Sequence, residues 1–461
     1  MKQKFVFTNN WKPVYANNND ALIPEVWAQE SLMFLENNTV AANLVHRDFS
    51  SEIASKGDVV NSRRPANFTV GRKNDNQDVV VQDATSANLR VALDQHLYCS
   101  FIIKDGEESK GMENLILTYL NPAMSAVAQG LDEIVTGMAY QFLGNSVGKL
   151  GGGASIQSLT DAKKVMTDNK APIGPKHLLL TSGAENNFLN IADFTNAEKV
   201  GDDGTAMREG SLGRKFGFNM FVDQNTPSVG AGNTVVTGAI NKVGGHVIGD
   251  TTITVDGLAA AITNGSWFTV AGDMVPQRVI SSVGGALPSA ITFSPGLKSA
   301  VADNAVITIY TPGAINKVGG YLAGETDALT VDGFTVAPQQ GQMISFGSAS
   351  DVYSGINVPT TTSILPNRVL KAGMADNAVV GIGPKGDYNF FFHPNAVSLV
   401  TRPLALPMTN AGALSAIAMY NGMAIRTTIS YQGMQQGHLV TVDLLAGIEV
   451  QDPALGGVLF T

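Results

Sequence analysis

Charge is scarce in this 461-residue chain: Asp, Glu, Lys and Arg make up 15% of it, against 44% hydrophobic residues. That is low for a free monomer, and large buried subunit contacts account for it. Cysteine is nearly absent. The single Cys99 excludes an internal disulfide and a multi-cysteine zinc site. No apolar run reaches about 18 residues, so no membrane-spanning helix is expected. The opening MKQKFVFTNNWKPVYANNND has no apolar core, so no secretory signal is expected. A net charge of −9 argues against a chain that is basic throughout and binds nucleic acid.

Catalytic signatures are missing as well. The six histidines (His46, His96, His177, His246, His393, His438) show no HExxH and no paired helical spacing. GIGPKG at 381–386 fits GxGxxG in form, but Pro384 interrupts it and the strand-like DYNFFF follows where a dinucleotide site needs a helix. It is read as a turn. GKLGGGAS (148–155) lacks the GK[ST] order of a phosphate loop, and Asp202-Asp203 lacks the distant Glu of a calcium loop. No nucleophile–base pair can be assembled, so no catalytic, cofactor-binding or metal-binding residue is expected, no cofactor is implied, and the chain is not read as an enzyme.

What is present is glycine, 49 residues of it, and a duplication. GAINKVGG occurs at 238–245 and again at 313–320. The likeness extends outward: GDT (249–251) answers GET (324–326), TVDG (254–257) answers TVDG (330–333), and ADNAV (302–306) answers ADNAV (375–379). Two tandem units of roughly 70–75 residues are therefore predicted, rich in strands such as TITV, WFTV, ITF and VITI. Kept glycine pairs and Asp-Gly turns imply that each copy keeps its own hairpins. A single barrel fused from both copies is the alternative. Differences between copies are expected on exposed faces, as in 279–289 against 346–356.

Around this insert the pattern is mixed. Pro24 opens a short helix carrying Val26, Trp27, Met33 and Phe34. The polar stretch Ser50–Ala87 holds Arg63, Arg64, Arg72, Lys73, Asp75 and Asp78 around short runs at 66–70 and 79–81, and reads as a projecting hairpin loop. Its charges are expected to meet groups on adjacent subunits. Residues 89–103 alternate as one long strand with Leu89, Val91, Leu93, Leu97, Cys99, Phe101 and Ile103 on the buried face. Cys99 is then a small core residue, not a reactive thiol. A helical pattern over 112–143 would span about 48 Å as one rod, restarted or kinked at Asn121-Pro122. Strands are expected at 177–181, 388–392, 396–401, 424–431 and 438–444.

The order of these parts carries a resemblance. IPEVWAQESLMFLENN, a charged extension, LRVALDQHLYCSFIIKD, LNPAMSAVAQGLDEIVTGMAY, LGRKFGFNMFVDQNTP and the closing VTVDLLAGIEVQDPALGGVLF follow one another as in the major capsid (coat) proteins of tailed bacteriophages. The chain resembles that family over almost its whole length, and most of all the podovirus-type coat proteins with a β-rich insertion. The resemblance implies an α+β chain of the Hong Kong 97-like capsid fold with a duplicated all-β insertion. Its parts would be an N-terminal arm and helix (1–49), an extended loop (50–87), a peripheral domain with a spine helix at 112–143 (88–154), a first axial part (155–225), β modules at 226–312 and 313–382, and a return portion (383–461). It implies self-assembly as hexamers and pentamers into an icosahedral shell enclosing double-stranded DNA. Portal and scaffolding proteins, and a decoration protein, are the implied partners; contact with DNA is weak and non-specific, and no membrane is involved. The implied location is the virion, with the host cytoplasm during assembly. The alternatives are an encapsulin-like cage subunit and an adhesive or tail-type β-repeat protein.

Overall fold

The computed structural model describes residues 24–47, 59–63, 68, 70–76, 78–79, 81–82, 88–108, 119–195, 209–229, 235–285, 287–325, 327–347, 351–356, 359–407, 413–420 and 422–461. Among the described residues the fold is mixed α+β: two large open sheets with helices packed on them, a separate two-stranded pair, and two closed barrels.

The first sheet is built on the strand Gly437–Val450. Its first ten residues pair along Gln95–Lys104, its other edge pairs with Met423–Gln432, and its end pairs with Val397–Arg402. Ala413–Tyr420 completes the sheet beyond Met423–Gln432. The helices Pro24–Asn38 and Asn121–Thr136 cover one face, burying Trp27, Leu35, Leu131 and Ile134 with Ile425, Val440 and Val442. Stability there comes from apolar burial, not from helix propensity.

The second sheet has Gly386–Phe392 near its middle, flanked by Gly456–Phe460 and Lys176–Leu180. Its sequence GDYNFFF shows why a continuous apolar run suits this place: both faces are covered. Phe390 and Phe392 point into the first core, where Phe142 meets Phe390 at 5.2 Å. Phe391 points the other way, into a core closed by Leu159, Met166 and Phe188 of two helices, Ile156–Asp168 and Ser182–Leu189.

The long alternating strand is corrected by the structure. Residues 88–92 pair with 59–63 as a two-stranded stem, and a separate strand begins at Gln95. The break falls at Leu93-Asp94, where Asp94 accepts from the N–H of Val369 at 3.4 Å. Alternation persists beyond it, but Leu97, Cys99 and Phe101 are half-buried and only Ile103 is fully inside.

The helical rod expected at 112–143 is described from Tyr119 onward. Residues 111–118 lie outside the described residues. The α-helix Asn121–Thr136 is entered through a wide π-type turn at Tyr119–Leu120, and Leu120 is itself helical, so Asn121 is no cap. Pro122, lacking an N–H, is accommodated by that turn. From Gly137 the helix tightens into a 3-10 helix that runs to Asn145. A Cβ on Gly137 would lie 2.6 Å from Asn367 Nδ2 and 2.7 Å from Ser354 Cβ, so only glycine fits where the second barrel presses on the helix.

Each sequence copy closes a six-stranded antiparallel barrel of its own. Numbering strands first to sixth within a copy, both barrels run first–second–fifth–fourth–third–sixth and back to the first. The first uses Val235–Ile240 through Val306–Tyr310, the second Gly313–Ile315 through Val379–Ile382. Each has its own core, around Phe268 and Phe293 in one and Phe346 and Tyr353 in the other. The fused barrel is not what forms. GIGPKG is the turn leading out of the second barrel into Gly386–Phe392.

Candidate assembly surfaces

Strand pairing of 59–63 with 88–92 makes a stem, and the chain between them is the polar extension. Arg63 closes the first stem strand. Arg64 lies outside the described residues. Arg72, Lys73, Asp75 and Asp78 fall together on one exposed segment, and among the described residues none of the four forms an ion pair within the chain. All four side chains are exposed.

A second arrangement was not legible in the sequence: the seating of the barrels on the helix. The 3-10 helix end carries Tyr140, whose hydroxyl donates to Gly341 O at 2.5 Å, and Gln141, whose amide donates to Val352 O. Asn367 Nδ2 donates to Ile134 O at 3.4 Å, and Lys371 reaches Glu449 at 2.7 Å. The first barrel is held by Leu150 N–H to Met274 O at 3.2 Å and by Lys298 to Gly144 O at 2.6 Å. The barrels also hold each other. Trp267 Nε1 donates to Ser345 Oγ at 2.8 Å, and buried Arg278 donates to the carbonyls of Phe346 and Gly347. Burial pushes the Arg278 guanidinium down, with Asp351 opposing the shift. Between helix end and barrels lies a cavity of about 440 Å³ lined by Tyr140, Leu143, Trp267, Arg278 and Val352.

This seating overturns one expectation. The divergent stretches do not sort by exposure. In the first barrel the fourth strand, Gln277–Val283, turns Ile280 and Val283 to solvent. Its counterpart Val352–Ile356 is buried throughout, because that strand lies against the spine. The difference arises because the fourth strand of the second barrel packs on the helix, whereas its counterpart in the first leaves its outer half in solvent.

Two buried carboxylates anchor the N-terminal segment. Val40 N–H and Ala42 N–H donate to the two oxygens of Asp132 at 2.7 and 2.9 Å. Asp223 accepts from the backbone N–H of Ala41 and from Asn225 N–H, the latter at 2.8 Å. Burial first, then the nearby Asp223 charge, pushes Asp132 up to about 7. Elsewhere Asp443 is buried against Arg426, Nε to Oδ1 at 2.9 Å, with His96 Nε2 at 3.6 Å. Burial raises the Cys99 thiol, which suits a packing residue. Among the described residues no cluster of three His, Cys, Asp or Glu side chains could hold a metal ion. None of the helices described is long and apolar enough to cross a membrane.

No protein-family model matches the sequence, and no curated protein matches it either. Several solved structures align with most of the chain. One is titled Mycobacterium phage Che8: 12% identity, TM-score 0.44, covering 91% of this chain and 90% of that one. Another is titled the capsid structure of the cyanophage P-SCSP1u: 11% identity, TM-score 0.45, covering 92% and 88%. A third is titled the capsid of an empty GTA particle: 7% identity, TM-score 0.38, covering 92% and 90%.

Proposed function

We propose that this chain is the major capsid protein of a tailed bacteriophage, a structural subunit of the Hong Kong 97-like type that assembles into an icosahedral shell around double-stranded DNA. The observation that carries the reading is the stem at 59–63 and 88–92 with its charged extension. A chain that folds alone has little use for an extended arm on which Arg72, Lys73, Asp75 and Asp78 all stand exposed, with no ionic partner among the described residues. A shell subunit does, since such arms tie neighbours together. The low share of charged residues agrees with a subunit that buries much of its surface against its neighbours.

In this reading 50–87 is the extended loop, 88–154 the peripheral domain, 155–225 the first part of the axial domain, and 383–461 the return portion that completes the axial and peripheral domains. The two barrels, within 226–312 and 313–382, are the duplicated insertion, presented on the outside. Hexamers and pentamers of the chain form the lattice. Portal and scaffolding proteins, and a decoration protein, are its partners. A net charge of −9 lets DNA be enclosed without being gripped, since a basic lumen would bind it through counterion release.

Electron microscopy of the chain expressed with its genomic neighbours tests this. Closed shells are expected. Cages that stay empty of DNA, or fibres, would sink the reading. Arg63→Glu with Arg64→Glu should leave subunits folded but impair closure, and normal shells in normal yield would remove the assigned role of the loop.

A further inference from the structure

One loop is longer in the second barrel than in the first. The first copy runs Pro295-Gly296-Leu297-Lys298, the second Pro366-Asn367-Arg368-Val369-Leu370-Lys371. The leucines match in place: Gly249 N–H donates to Leu297 O and Gly324 N–H to Leu370 O, both at 2.8 Å, and both leucines are buried. Asn367, Arg368 and Val369 therefore stand where the first copy has a single glycine. The lysines that follow reach different elements. Lys298 Nζ donates to Gly144 O at 2.6 Å, in the 3-10 helix, whereas Lys371 Nζ donates to Glu449 Oε1 at 2.7 Å, in the strand Gly437–Val450.

Each of the three residues holds something. Asn367 is buried, accepts from Ser354 N–H at 3.0 Å and donates to Ile134 O of the helix Asn121–Thr136 at 3.4 Å. Arg368 is 3% exposed; its Nη2 donates to Asp351 Oδ1 at 3.0 Å, and its guanidinium lies 4.8 Å over the Tyr353 ring. Its Nε and Nη1 are buried with no hydrogen-bond partner among the described residues. Val369 N–H donates to Asp94 Oδ2 at 3.4 Å. Asp94 follows directly on the stem, whose second strand ends at Ala92. The first sheet holds the same root. A Cβ on Gly447 would come within 2.2 Å of Ala92 O, and Val60, Val91 and Leu93 pack with Val400. Burial pushes the Asp94 carboxyl up to about 6, while the Val369 N–H bond and the Arg368 charge oppose the shift.

We propose that the second barrel is a bracket for the charged extension, with Arg368 and Val369 as positioning residues that fix the stem at Asp94. A two-stranded ribbon has no core of its own, so its direction is set where it is rooted. Asn367 ties the same loop to the helix, so barrel, helix and stem root share one joint, and a displacement of the barrel is passed to the stem. The first barrel, with Gly296 at this place, takes no part. The two copies have divided their work: the first grips the chain at Gly144 and Leu150, and the second aims the arm.

Hydrogen–deuterium exchange on unassembled subunits tests this, and its result does not depend on the shell reading. In Asp94→Ala the amides of 59–63 and 88–92 should exchange roughly tenfold faster, the loss expected from one bond to a charged acceptor. Amides of both barrels and of Gly437–Val450 should exchange as in wild type. Asp94→Asn keeps an acceptor for Val369 N–H and should recover most of the protection. Lys298→Ala, which releases the first barrel's loop from Gly144, should leave the stem unchanged. Should Asp94→Ala give no soluble subunit, a single glycine in place of Asn367-Arg368-Val369, as in the first copy, removes the same hold from the barrel's side, with the same result expected. Wild-type exchange of the stem in these variants would overturn the bracket. Equal loosening by Lys298→Ala would overturn it too, since any weakened barrel would then slacken the stem.

Discussion

His246 and Tyr321 occupy the same place in the two barrels and do the same work with different chemistry. His246 Nε2 accepts from Thr254 N–H at 3.2 Å, and Tyr321 Oη accepts from the equivalent Thr330 N–H at 2.6 Å. Both side chains are buried. With Nε2 accepting, the imidazole proton sits on Nδ1, where it faces Asp250 Oδ2 at 3.0 Å. That bond holds the Asp250 carboxyl below its usual range.

The equivalence sets an expectation. His246→Tyr should cost under about 1 kcal/mol, because the second copy shows that a phenol fits and accepts the same bond. His246→Ala loses both packing and acceptor and should cost about 2 kcal/mol. Chemical denaturation of the unassembled subunit reads the difference. Equal costs for the two variants would deny the shared role.

Gly137→Ala should go against the usual helix rule. In an exposed helix the change stabilises by about 0.5–1 kcal/mol. Here the new methyl runs into Asn367 and Ser354. A loss of about 1–3 kcal/mol is expected, with the second barrel becoming sensitive to protease before the rest. A raised melting temperature would mean that the barrel does not press on the helix.

Asp132 should make stability fall as pH rises. Its folded pKa, about 7, lies above the ordinary carboxylate value, so the folded state binds the proton more tightly than the unfolded one. The contribution is full below about pH 4 and lost as pH climbs through about 7. Asp132→Asn cannot ionise, so its melting temperature relative to wild type should improve steadily across that window. A constant difference from pH 4 to 8 would contradict the assignment.

Phe101→Ala should be milder than a full core deletion. Phe101 is half-buried, stacked between Trp27 at 6.3 Å and Tyr119 at 5.9 Å. About 2 kcal/mol is expected, below the roughly 3–5 kcal/mol of a fully buried phenylalanine. A variant that melts as wild type would show that the strand's apolar face does not pack on the N-terminal helix.

How much of this was legible follows from where the signal lives. The repeat announced two modules because turn chemistry is local: Gly244-Gly245 and Gly319-Gly320 must be glycine whatever surrounds them. Strand positions such as Trp267–Val270 and Gly386–Phe392 were likewise readable from short apolar runs. Sequence periodicity missed the break at Leu93-Asp94, because alternation continues across it and only the change of partner strand reveals it. The strand Ala413–Tyr420 buries the small Ala416 and Ala418 and turns the larger Leu414, Ile417 and Met419 outward, the reverse of the usual pattern. The docking of Tyr140, Gln141 and Arg278 was out of reach, since each bonds a backbone carbonyl far away in the chain, and a carbonyl has no letter of its own.

The barrels are also consecutive. All six strands of the first precede Thr311-Pro312, and all six of the second follow it. On the ribosome, the first barrel has every strand it needs before the second GAINKVGG is made. Two near-identical segments in one polypeptide invite exchange of the wrong strand, and vectorial synthesis removes the competitor during the interval that matters. Refolding from denaturant offers both copies at once, so a chain that matures cleanly in the cell should refold with a slow, mispaired fraction in the test tube.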